Sequence, residues 1–357
     1  MPIFMKSLTR ELSLGVALGA LALTSNAALA QGCVAAHSSQ RAMDELVGGG
    51  DGAHTCGPLS IHNLTVDVGY RVYNSSKYFQ GTKEIVRYPA VENHQNIFDL
   101  MLLYRLSSRV SLIADVPVYS GSRDQIYPPS GIFRVTGVGD TSIGVQSWLF
   151  KPPTEGHGNV AGSLSLKIPT GLSNATGVGL SKGVAIVATA DQSLQPGDGG
   201  WGFVAGLQGY QPVWHLAEFY GQGQYVFNPM DTNGVATFRN QAGQSVMSVP
   251  DQYLYRFGFA QVVPKVHHLA VSFGVRGEGV PVRDLIGDSN GFRRPGFILS
   301  IDPGVMYTYK HTVLTMNGPW AMYRDRPPSV PEIANNTTNG DAFFSDYTVT
   351  MSLSHHF

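Results

Sequence analysis

The sequence predicts an all-β fold, a transmembrane antiparallel up-and-down outer-membrane β-barrel of about 12 strands. Three observations indicate it. A series of segments along the chain alternates apolar and polar residues with period 2, the pattern of strands with one apolar and one polar face. No segment after the N-terminal 30 residues is apolar enough to form a membrane helix. The connections alternate long and short, as expected when strands cross a membrane in alternate directions.

The composition agrees with such a barrel. Charged residues make up 14% of the chain, against about 25% in typical soluble domains. Glycine is abundant, at 42 residues, and the formal net charge is −1. A near-neutral chain gives no reason to expect a nucleic-acid partner. A transmembrane barrel keeps its apolar residues in alternation, so low charge without a long apolar run is expected of it.

Residues 1–30 have the features of a secretory signal peptide. Lys6 and Arg10 give a positive start, residues 12–23 are apolar, and Ala28-Leu29-Ala30 resembles a cleavage site. The apolar run is shorter than the roughly 20 residues that a membrane span needs. Lipidation at Cys33 is a weaker alternative, because a lipoprotein signal normally carries Leu where Ala30 stands. We therefore expect the mature chain to begin at residue 31.

Residues 31–60 are predicted to form a periplasmic segment ahead of the barrel. Its two cysteines, Cys33 and Cys56, are the only ones in the chain. In an exported protein they are best explained as one disulfide. His37 and His54 lie nearby, but the spacing matches no common zinc site, so the disulfide is preferred.

The barrel is predicted to occupy residues 61–357. In its first strand Leu64, Val66 and Val68 alternate with Thr65 and Asp67, which separates an apolar face from a polar one. The same pattern predicts the first six strands at 64–72, 98–105, 110–118, 139–150, 160–168 and 201–211. It predicts the last six at 216–227, 253–260, 269–278, 297–309, 311–324 and 342–357.

Connections between these strands alternate in length. Long polar or glycine-rich loops are predicted at 74–96, 120–136, 169–200, 228–251, 282–295 and 325–341, and the connections between them are short. An even strand number with short periplasmic turns and long outer loops is typical of Gram-negative outer-membrane barrels. A soluble lipocalin-like barrel has about eight strands and points its apolar residues inward, so it fits less well.

Polar strand faces are predicted to line the lumen, because charged side chains are costly to place in lipid. The candidates are Asp67, Arg71, Asp99, Arg105, Asp115, Gln146, Lys167, Gln208, Glu218, Gln222, Gln224, Arg256, Arg276, Glu278, Asp302, Lys310 and Asp346. Their charges are mixed in sign, which argues against strong ion selectivity. Two interpretations stay open: the residues pair with one another, or a subset selects a solute.

An enzyme is not expected. A hydrolase would need a nucleophile with a histidine base and an acidic partner. The eleven histidines fall mostly in predicted turns, loops or the N-terminal segment. We expect no catalytic residue, no cofactor and no metal site, although a metal-binding or pH-sensing role for the histidines of the short turns is a weaker alternative.

The last strand carries a further pattern. Tyr347, Val349, Met351 and Leu353 alternate with small polar residues, and the chain ends on Phe357. This resembles the C-terminal signal that the barrel-assembly machinery recognises. The apolar four are expected to face lipid, with Phe357 at the periplasmic rim.

Four ordered motifs resemble a known family. They are LYRLSSRV at 103–110 running on to Val116-Pro117, GVGD at 137–140, LKIPTG at 166–171 and QPGDGGW at 195–201. The series resembles the outer-membrane proteins described as transporters of the meta-pathway of phenol degradation. The Cys33–Cys56 segment is not part of that pattern.

This resemblance implies a function. It implies an outer-membrane channel or transporter for small, hydrophobic or aromatic compounds, whose partners are the solute, the lipid bilayer and the barrel-assembly machinery. The alternative is a structural or surface-interaction barrel with an occluded lumen. The oligomeric state is left open by the sequence.

Overall fold

The computed structural model describes residues 60–151, 157–214, 216–266, 268–341 and 344–357. The predicted signal peptide and the predicted Cys33–Cys56 disulfide lie outside these residues. The strands are β1 Leu64–Ser75, β2 Phe79–Gln80, β3 Lys83–Glu84, β4 Glu92–Arg105, β5 Val110–Gln125, β6 Gly131–Val138, β7 Thr141–Trp148, β8 Asn159–Ile168, β9 Thr176–Ser181, β10 Val184–Thr189, β11 Gly202–Trp214, β12 Ala217–Phe227, β13 Thr232–Ala236, β14 Val246–Ser248, β15 Gln252–Val262, β16 Leu269–Val280, β17 Gly296–Tyr309, β18 Thr312–Asn317, β19 Trp320–Asp325 and β20 Tyr347–His356. The described residues also contain one short helix, Val330–Ala334, and two 3-10 turns, Ile61–Asn63 and Gln192–Leu194.

The main sheet closes on itself into a barrel. Its antiparallel order is β1, β4, β5, β7, β8, β11, β12, β15, β16, β17, β18 and β20, and β20 pairs back onto β1. The closing register runs from Thr65 opposite His356 to Asn74 opposite Tyr347. Two barrel strands are each divided into two segments. β6 and β7 both pair with β5, and β18 and β19 both pair with β17, so each couple occupies one strand position of the barrel. The barrel thus has twelve strand positions, which confirms the predicted fold class.

The two ends of the barrel differ. At one end, here the turn end, the connections span residues 106–109, 149–158, 215–216, 263–268 and 310–311. At the other, the loop end, longer connections carry the β2–β3, β9–β10 and β13–β14 hairpins and the short helix. In bacterial outer-membrane barrels the short turns face the periplasm and the long loops face outward.

The two faces of the wall also differ. In β4, Phe98, Leu100 and Leu102 are 49%, 43% and 37% exposed, whereas Asp99 between them is 1% exposed. Alternate residues of a strand point to opposite faces, so the apolar side chains form the outside of the barrel and the polar ones fill the inside. A lipid-facing outside requires this arrangement. No helix of the described residues is long and apolar enough to cross a membrane.

One predicted loop was wrong. Residues 120–136 were expected to be irregular, but β5 continues to Gln125 and β6 begins at Gly131, so only residues 126–130 connect them. The two strands stay paired from Val118 opposite Val138 to Gln125 opposite Gly131. The alternation that identifies a strand fades here because a hairpin extending beyond the bilayer needs no apolar outer face.

One predicted strand is also interrupted. The predicted strand at 311–324 is divided into β18 and β19 at Gly318-Pro319, because proline lacks the N–H group that a continuous ladder needs. The predicted strand at 139–150 is shorter in the structure, where β7 begins at Thr141 and follows β6 after residues 139–140. The last strand begins at Tyr347 rather than at residue 342.

Candidate transport pathway

Most of the predicted lumen residues are buried on the inner face of the wall. Those buried are Asp67, Arg71, Asp99, Asp115, Gln146, Lys167, Arg256, Arg276, Glu278 and Asp302. Arg105, Gln208, Glu218, Gln222 and Gln224 lie on the same face and are partly buried. Since the sheet is closed, burial of these polar groups means that they point into the barrel.

Two candidates lie elsewhere. Lys310 is exposed in the turn that joins β17 to β18, so its prediction as a lumen residue was wrong. The alternation of apolar and polar residues in β17 continues in the sequence for one residue past the end of the strand, and Lys310 is that residue. Asp346 lies in the loop before β20, where it contacts Arg324 at 3.3 Å and accepts hydrogen bonds from Ser76.

Several of the inward charged side chains form ion pairs. Nε and Nη2 of Arg71 each donate to Asp99 at 2.6 Å, and Nη1 donates to Tyr73. Further around the barrel, Arg256 contacts Asp302 at 2.9 Å and Arg276 contacts Glu278 at 2.8 Å. The remaining pairs are near the loop end: Lys167 contacts Asp198 directly and Asp140 at 3.8 Å.

Sheet register aligns a polar row on the inner face. Gln208 lies opposite Gln222, which in turn lies opposite Arg256, and Arg256 lies opposite Arg276. Among these four, the amide groups of Gln208 and Gln222 project toward a cavity, while the arginines bind the carboxylates named above.

That cavity lies in the half of the barrel nearer the turn end and has a volume of about 80 Å³. We call it the lower cavity. Met101, Ile113 and Val204 give it an apolar side. Its polar lining includes Asp115, Gln146, Gln208, Gln222 and three serines. The lining can therefore contact both an apolar body and hydrogen-bonding groups.

A second cavity lies toward the loop end and has a volume of about 90 Å³. We call it the upper cavity. Ile97, Pro117, Tyr119 and Met247 contribute much of its apolar lining. Arg71, Lys167, Asp140 and Asp198 add charged groups on the barrel side. The apolar lining makes this cavity suitable for a small solute with a hydrophobic part.

The two cavities lie on either side of one level of the barrel. Along β4 the consecutive inward residues are Ile97 in the upper cavity, then Asp99, then Met101 in the lower cavity. Arg71, which binds Asp99, lines the upper cavity. The Arg71–Asp99 pair therefore lies at the boundary between the two cavities.

A loop covers the upper cavity. The connection between β8 and β11 bends into the barrel, so that Leu194 is fully buried. The backbone oxygen of Ser193 accepts hydrogen bonds from the inward side chains of Gln95 and Tyr119. Gln192 also donates to the backbone of Ser248 in a second loop, at 2.9 Å. This loop closes the loop end of the pathway.

Buried charges hold that closure together. Arg294 donates to Asp191 and to Asp341, each at 2.5 Å. Arg123 lies 3.9 Å from Asp191 and 3.8 Å from Asp341, and Arg239 lies 3.6 Å from Asp341. We call these five residues the loop latch. It joins the end of β5 to four separate loops.

The latch carboxylates are held in their charged form. Burial alone would raise the pKa of Asp191, but the charges of Arg123 and Arg294 lower it well below its usual value. Burial likewise opposes ionisation of Asp341, yet Arg294, Arg123 and Arg239 lower its pKa. Each carboxylate is therefore ionised at neutral pH and attracted to several guanidinium groups.

The sequence did not identify the latch. Its members come from loops and from the end of β5, where no periodic pattern indicates which way a side chain points. The residues that cover the upper cavity were predicted only as part of the long loop at 169–200. Long-range pairs such as Asp191 with Arg294, 103 residues apart, leave no local signal.

The last strand lies as its alternation requires. Tyr347 and Leu353 are exposed on the outer face, and Thr348, Thr350 and Ser352 are buried inside. Val349 and Met351 share the outer face and are partly buried. Phe357 is exposed at the turn end. A role of this strand in assembly stays a prediction.

No metal centre is assembled in the described part of the chain. Among these residues, no group of three or more His, Cys, Asp or Glu could hold a metal ion. His355 and His356 bond to the hydroxyls of Thr312 and Thr65 at 2.8 and 2.9 Å.

Comparison with known proteins gives a likeness in structure. No protein-family model and no curated protein sequence matches the chain. An outer membrane channel from Pseudomonas putida F1 has a TM-score of 0.56 at 11% identity, over 86% of this chain and 99% of that one. The β domain of the Bordetella autotransporter BrkA has a TM-score of 0.46 at 12% identity, over 82% and 100%. The P. putida toluene transporter TodX has a TM-score of 0.39 at 8% identity, over 84% and 91%.

Three observations together define the class. They are the closed barrel of twelve strand positions, its apolar outer face and the likeness to the P. putida F1 channel. The chain is a β-barrel of the Gram-negative outer membrane. Its polar interior holds two cavities beneath an inward-folded loop.

Proposed function

We propose that this protein is an outer-membrane channel through which small molecules diffuse from the loop end to the turn end. The observation that carries the proposal is the pair of cavities in series inside one barrel, with the Arg71–Asp99 pair at their boundary. A barrel with a purely structural role would gain stability from a filled interior, because voids cost packing energy. Transport of this kind is passive and needs no catalytic residue or cofactor.

The lining supports small, hydrophobic or aromatic solutes that carry a polar group. In the upper cavity, Ile97, Tyr119 and Met247 can contact an apolar ring. In the lower cavity, Gln208 and Gln222 can exchange hydrogen bonds with a hydroxyl or carbonyl. The motif series at 103–201 resembles transporters associated with phenol degradation, and the P. putida F1 relative in structure is described as a channel. The motif series agrees with this solute class, and the description of the P. putida F1 protein agrees with a channel.

A second candidate function is a surface-interaction barrel with an occluded lumen. The inward loop around Leu194 and the loop latch favour it, because they cover the upper cavity. The two candidates differ in one respect. A channel must open at the latch, whereas an occluded barrel keeps the cavity closed throughout its function.

Transport can be measured with the purified protein in liposomes and planar bilayers. We expect proteoliposomes to take up a phenol-sized solute faster than protein-free liposomes, and a variant with the latch broken, Arg294→Met, to take it up faster still. If neither protein gives uptake or conductance, the channel proposal fails and the occluded barrel is preferred. If only the variant conducts, the wild-type protein is closed until another event opens the latch.

A further inference from the structure

The β9–β10 hairpin at the loop end has an exposed apolar surface. Val178 and Val187, which lie opposite each other, are 64% and 72% exposed, and Leu180 is 50% exposed. On β10, Val184 and Ile186 are 63% and 39% exposed. The tip lysine at position 182 is the only charged residue between positions 173 and 190. An exposed apolar surface of this kind is typical of a contact site for a partner.

This surface lies away from the lipid that surrounds the barrel. Leu180 exchanges two backbone hydrogen bonds with Ser130, at 2.7 and 2.8 Å, immediately before β6. The chain then follows β6 from Gly131 to Val138 before it enters the barrel at β7. These eight residues of strand correspond to about 26 Å. The hairpin is therefore at the far end of the β5–β6 extension, where acyl chains do not cover it.

The protein holds β9 in place and leaves β10 as the outer strand. Leu180 ties β9 to the β5–β6 hairpin. A Cβ on Gly177 or Gly179 would lie 2.6 or 2.9 Å from ring atoms of Phe133, so these glycines let β9 pack closely on that buried ring. β10 pairs with β9 on one side only, since no other strand of the described residues joins this two-stranded sheet.

The turn of the hairpin determines which backbone groups point outward. Lys182 and Gly183 form a two-residue turn with φ of +50° and +81°, so the flanking pair Ser181 and Val184 is hydrogen-bonded across the turn. In an antiparallel ladder, hydrogen-bonded and non-hydrogen-bonded pairs alternate. The next residue along β10, and every second residue after it, therefore directs its N–H and C=O groups away from β9.

Ala185 and Val187 are the exposed residues whose backbone groups form this free edge. Among the described residues, neither has a backbone or side-chain hydrogen-bond partner on that side. Natural sheets often protect such an edge with a charged side chain or a proline. Residues 183–190 contain neither. The edge is thus open to pairing with another strand.

The free edge is complementary to itself. When two copies of β10 lie antiparallel with their Ile186 residues opposite each other, Ala185 of each copy lies opposite Val187 of the other. Each of these pairs can exchange both of its N–H···O=C bonds. The apolar side chains of the two hairpins then form one continuous face. The two copies of Lys182 lie at opposite ends of the new pair, so no like charges meet.

We propose that this barrel self-associates at the loop end through β10, with a second copy of this chain as the partner and Ile186 on the two-fold axis. Lipid fits this edge less well, because acyl chains leave its N–H and C=O groups without hydrogen bonds. A second copy fits better than an unrelated strand, because it supplies both the matching backbone groups and an uncharged apolar face. The pairing does not depend on the transport function.

Cysteine cross-linking of the full-length chain in detergent tests this register. The background carries Cys33→Ser and Cys56→Ser. Under mild oxidation, we expect Ile186→Cys to form a disulfide-linked dimer at least about tenfold faster than Val86→Cys, because Cα atoms of a directly opposed non-hydrogen-bonded pair are only about 4.5 Å apart. Val86 is 73% exposed at the loop end, so random collision predicts the reverse order.

A second position tests the two-fold centre. In the proposed pair, Val184 lies opposite Ala188 of the other copy, so two cysteines at position 184 would be about 13 Å apart along the strand. Val184→Cys alone should therefore cross-link slowly, although Val184 is more exposed than Ile186. A mixture of Val184→Cys and Ala188→Cys proteins should cross-link rapidly. Equal rates for Val184→Cys, Ile186→Cys and Val86→Cys, or no dimer above the Val86→Cys background, would overturn the proposal.

A backbone substitution separates strand pairing from apolar contact. Val187→Pro removes one N–H from each edge, and in the Ile186→Cys protein it should slow cross-linking about tenfold or more, since each lost hydrogen bond contributes to association. The matched control Val187→Thr keeps the N–H and the branched side chain and should cross-link much faster than Val187→Pro. Equal rates in the two variants would overturn edge pairing. The heat-dependent shift in electrophoretic mobility checks that every variant is folded.

Discussion

Arg71 binds both carboxylate oxygens of Asp99, through Nε and Nη2, at 2.6 Å each. The two side chains come from neighbouring strands, β1 and β4. Their side chains are 5% and 0% exposed. The pair lies at the boundary between the upper and lower cavities. The pair fixes the width of the barrel interior at that level, because a change of rotamer in either side chain would leave a buried charge unpaired.

Shortening Arg71 should therefore widen the pathway. We expect Arg71→Ala to raise the single-channel conductance about twofold or more over the wild type, measured in planar bilayers at fixed salt; this size is an order-of-magnitude expectation from removing a side chain that fills the boundary. Arg276→Ala is the control, because Arg276 is also buried and paired with a carboxylate but lines neither cavity. A conductance gain in Arg276→Ala as large as in Arg71→Ala would contradict this assignment.

Breaking the loop latch should open the loop end. Arg294 donates to both Asp191 and Asp341, so Arg294→Met leaves two buried carboxylates with weaker partners, at a cost of about 3–5 kcal/mol for a buried pair. We expect residues 169–201 to become sensitive to added protease and solute uptake to rise. The matched control Arg283→Met changes an exposed arginine of the same loop and should leave both properties unchanged. Protection of the loop in Arg294→Met would refute the latch.

The latch should resist moderate acid. The pKa values of Asp191 and Asp341 are lower in the folded protein than in the unfolded chain. A group of this kind contributes stability that is complete above its unfolded pKa, about 3.9, and is lost as the pH falls through the lower folded pKa. We therefore expect the protection of the loop around Leu194 from protease to stay constant between pH 7 and about pH 4.5 and to change only in stronger acid. A transition centred near pH 6 would contradict this prediction.

A tyrosine inside the barrel requires glycine on two strands. Tyr220 is fully buried, and a Cβ on Gly258 would lie 2.8 Å from its hydroxyl and 2.5 Å from the Cα of Gly274. We expect Gly258→Ala to lower the free energy of unfolding by about 1–3 kcal/mol, the usual cost of overpacking. Urea unfolding followed by electrophoretic mobility measures it.

Gly162 provides the control for that substitution. It also lies within a strand, β8, but a Cβ there meets nothing within 4 Å. Gly162→Ala should change the free energy of unfolding by no more than about 0.5 kcal/mol, as for other unstrained surface substitutions. Similar losses in the two variants would show that glycine is needed for backbone freedom and not for space beside Tyr220.

The sequence predicted the barrel strands well where one face contacts lipid and the other faces the lumen. Lipid requires apolar side chains there, and the lumen accepts polar ones. In β4, the alternation of Phe98, Leu100 and Leu102 with Asp99 identified both the strand and its faces. At the loop end this constraint disappears, because both faces of β5 and β6 beyond the bilayer can be polar. There the predicted loop at 120–136 was wrong, and the extension to Gln125 became evident only from strand pairing.

The candidate site divides in the same way. The sequence alone indicated the inward face within the strands, because period 2 is a local property of an extended backbone and a charge in lipid is costly. It did not do so at strand ends, as Lys310 and Asp346 show. Only the tertiary structure decided that Arg71 binds Asp99, that a loop closes over the upper cavity, and that Asp191 and Asp341 meet three arginines. These contacts join residues far apart in the chain, and their geometry depends on barrel closure and register, which no local pattern encodes.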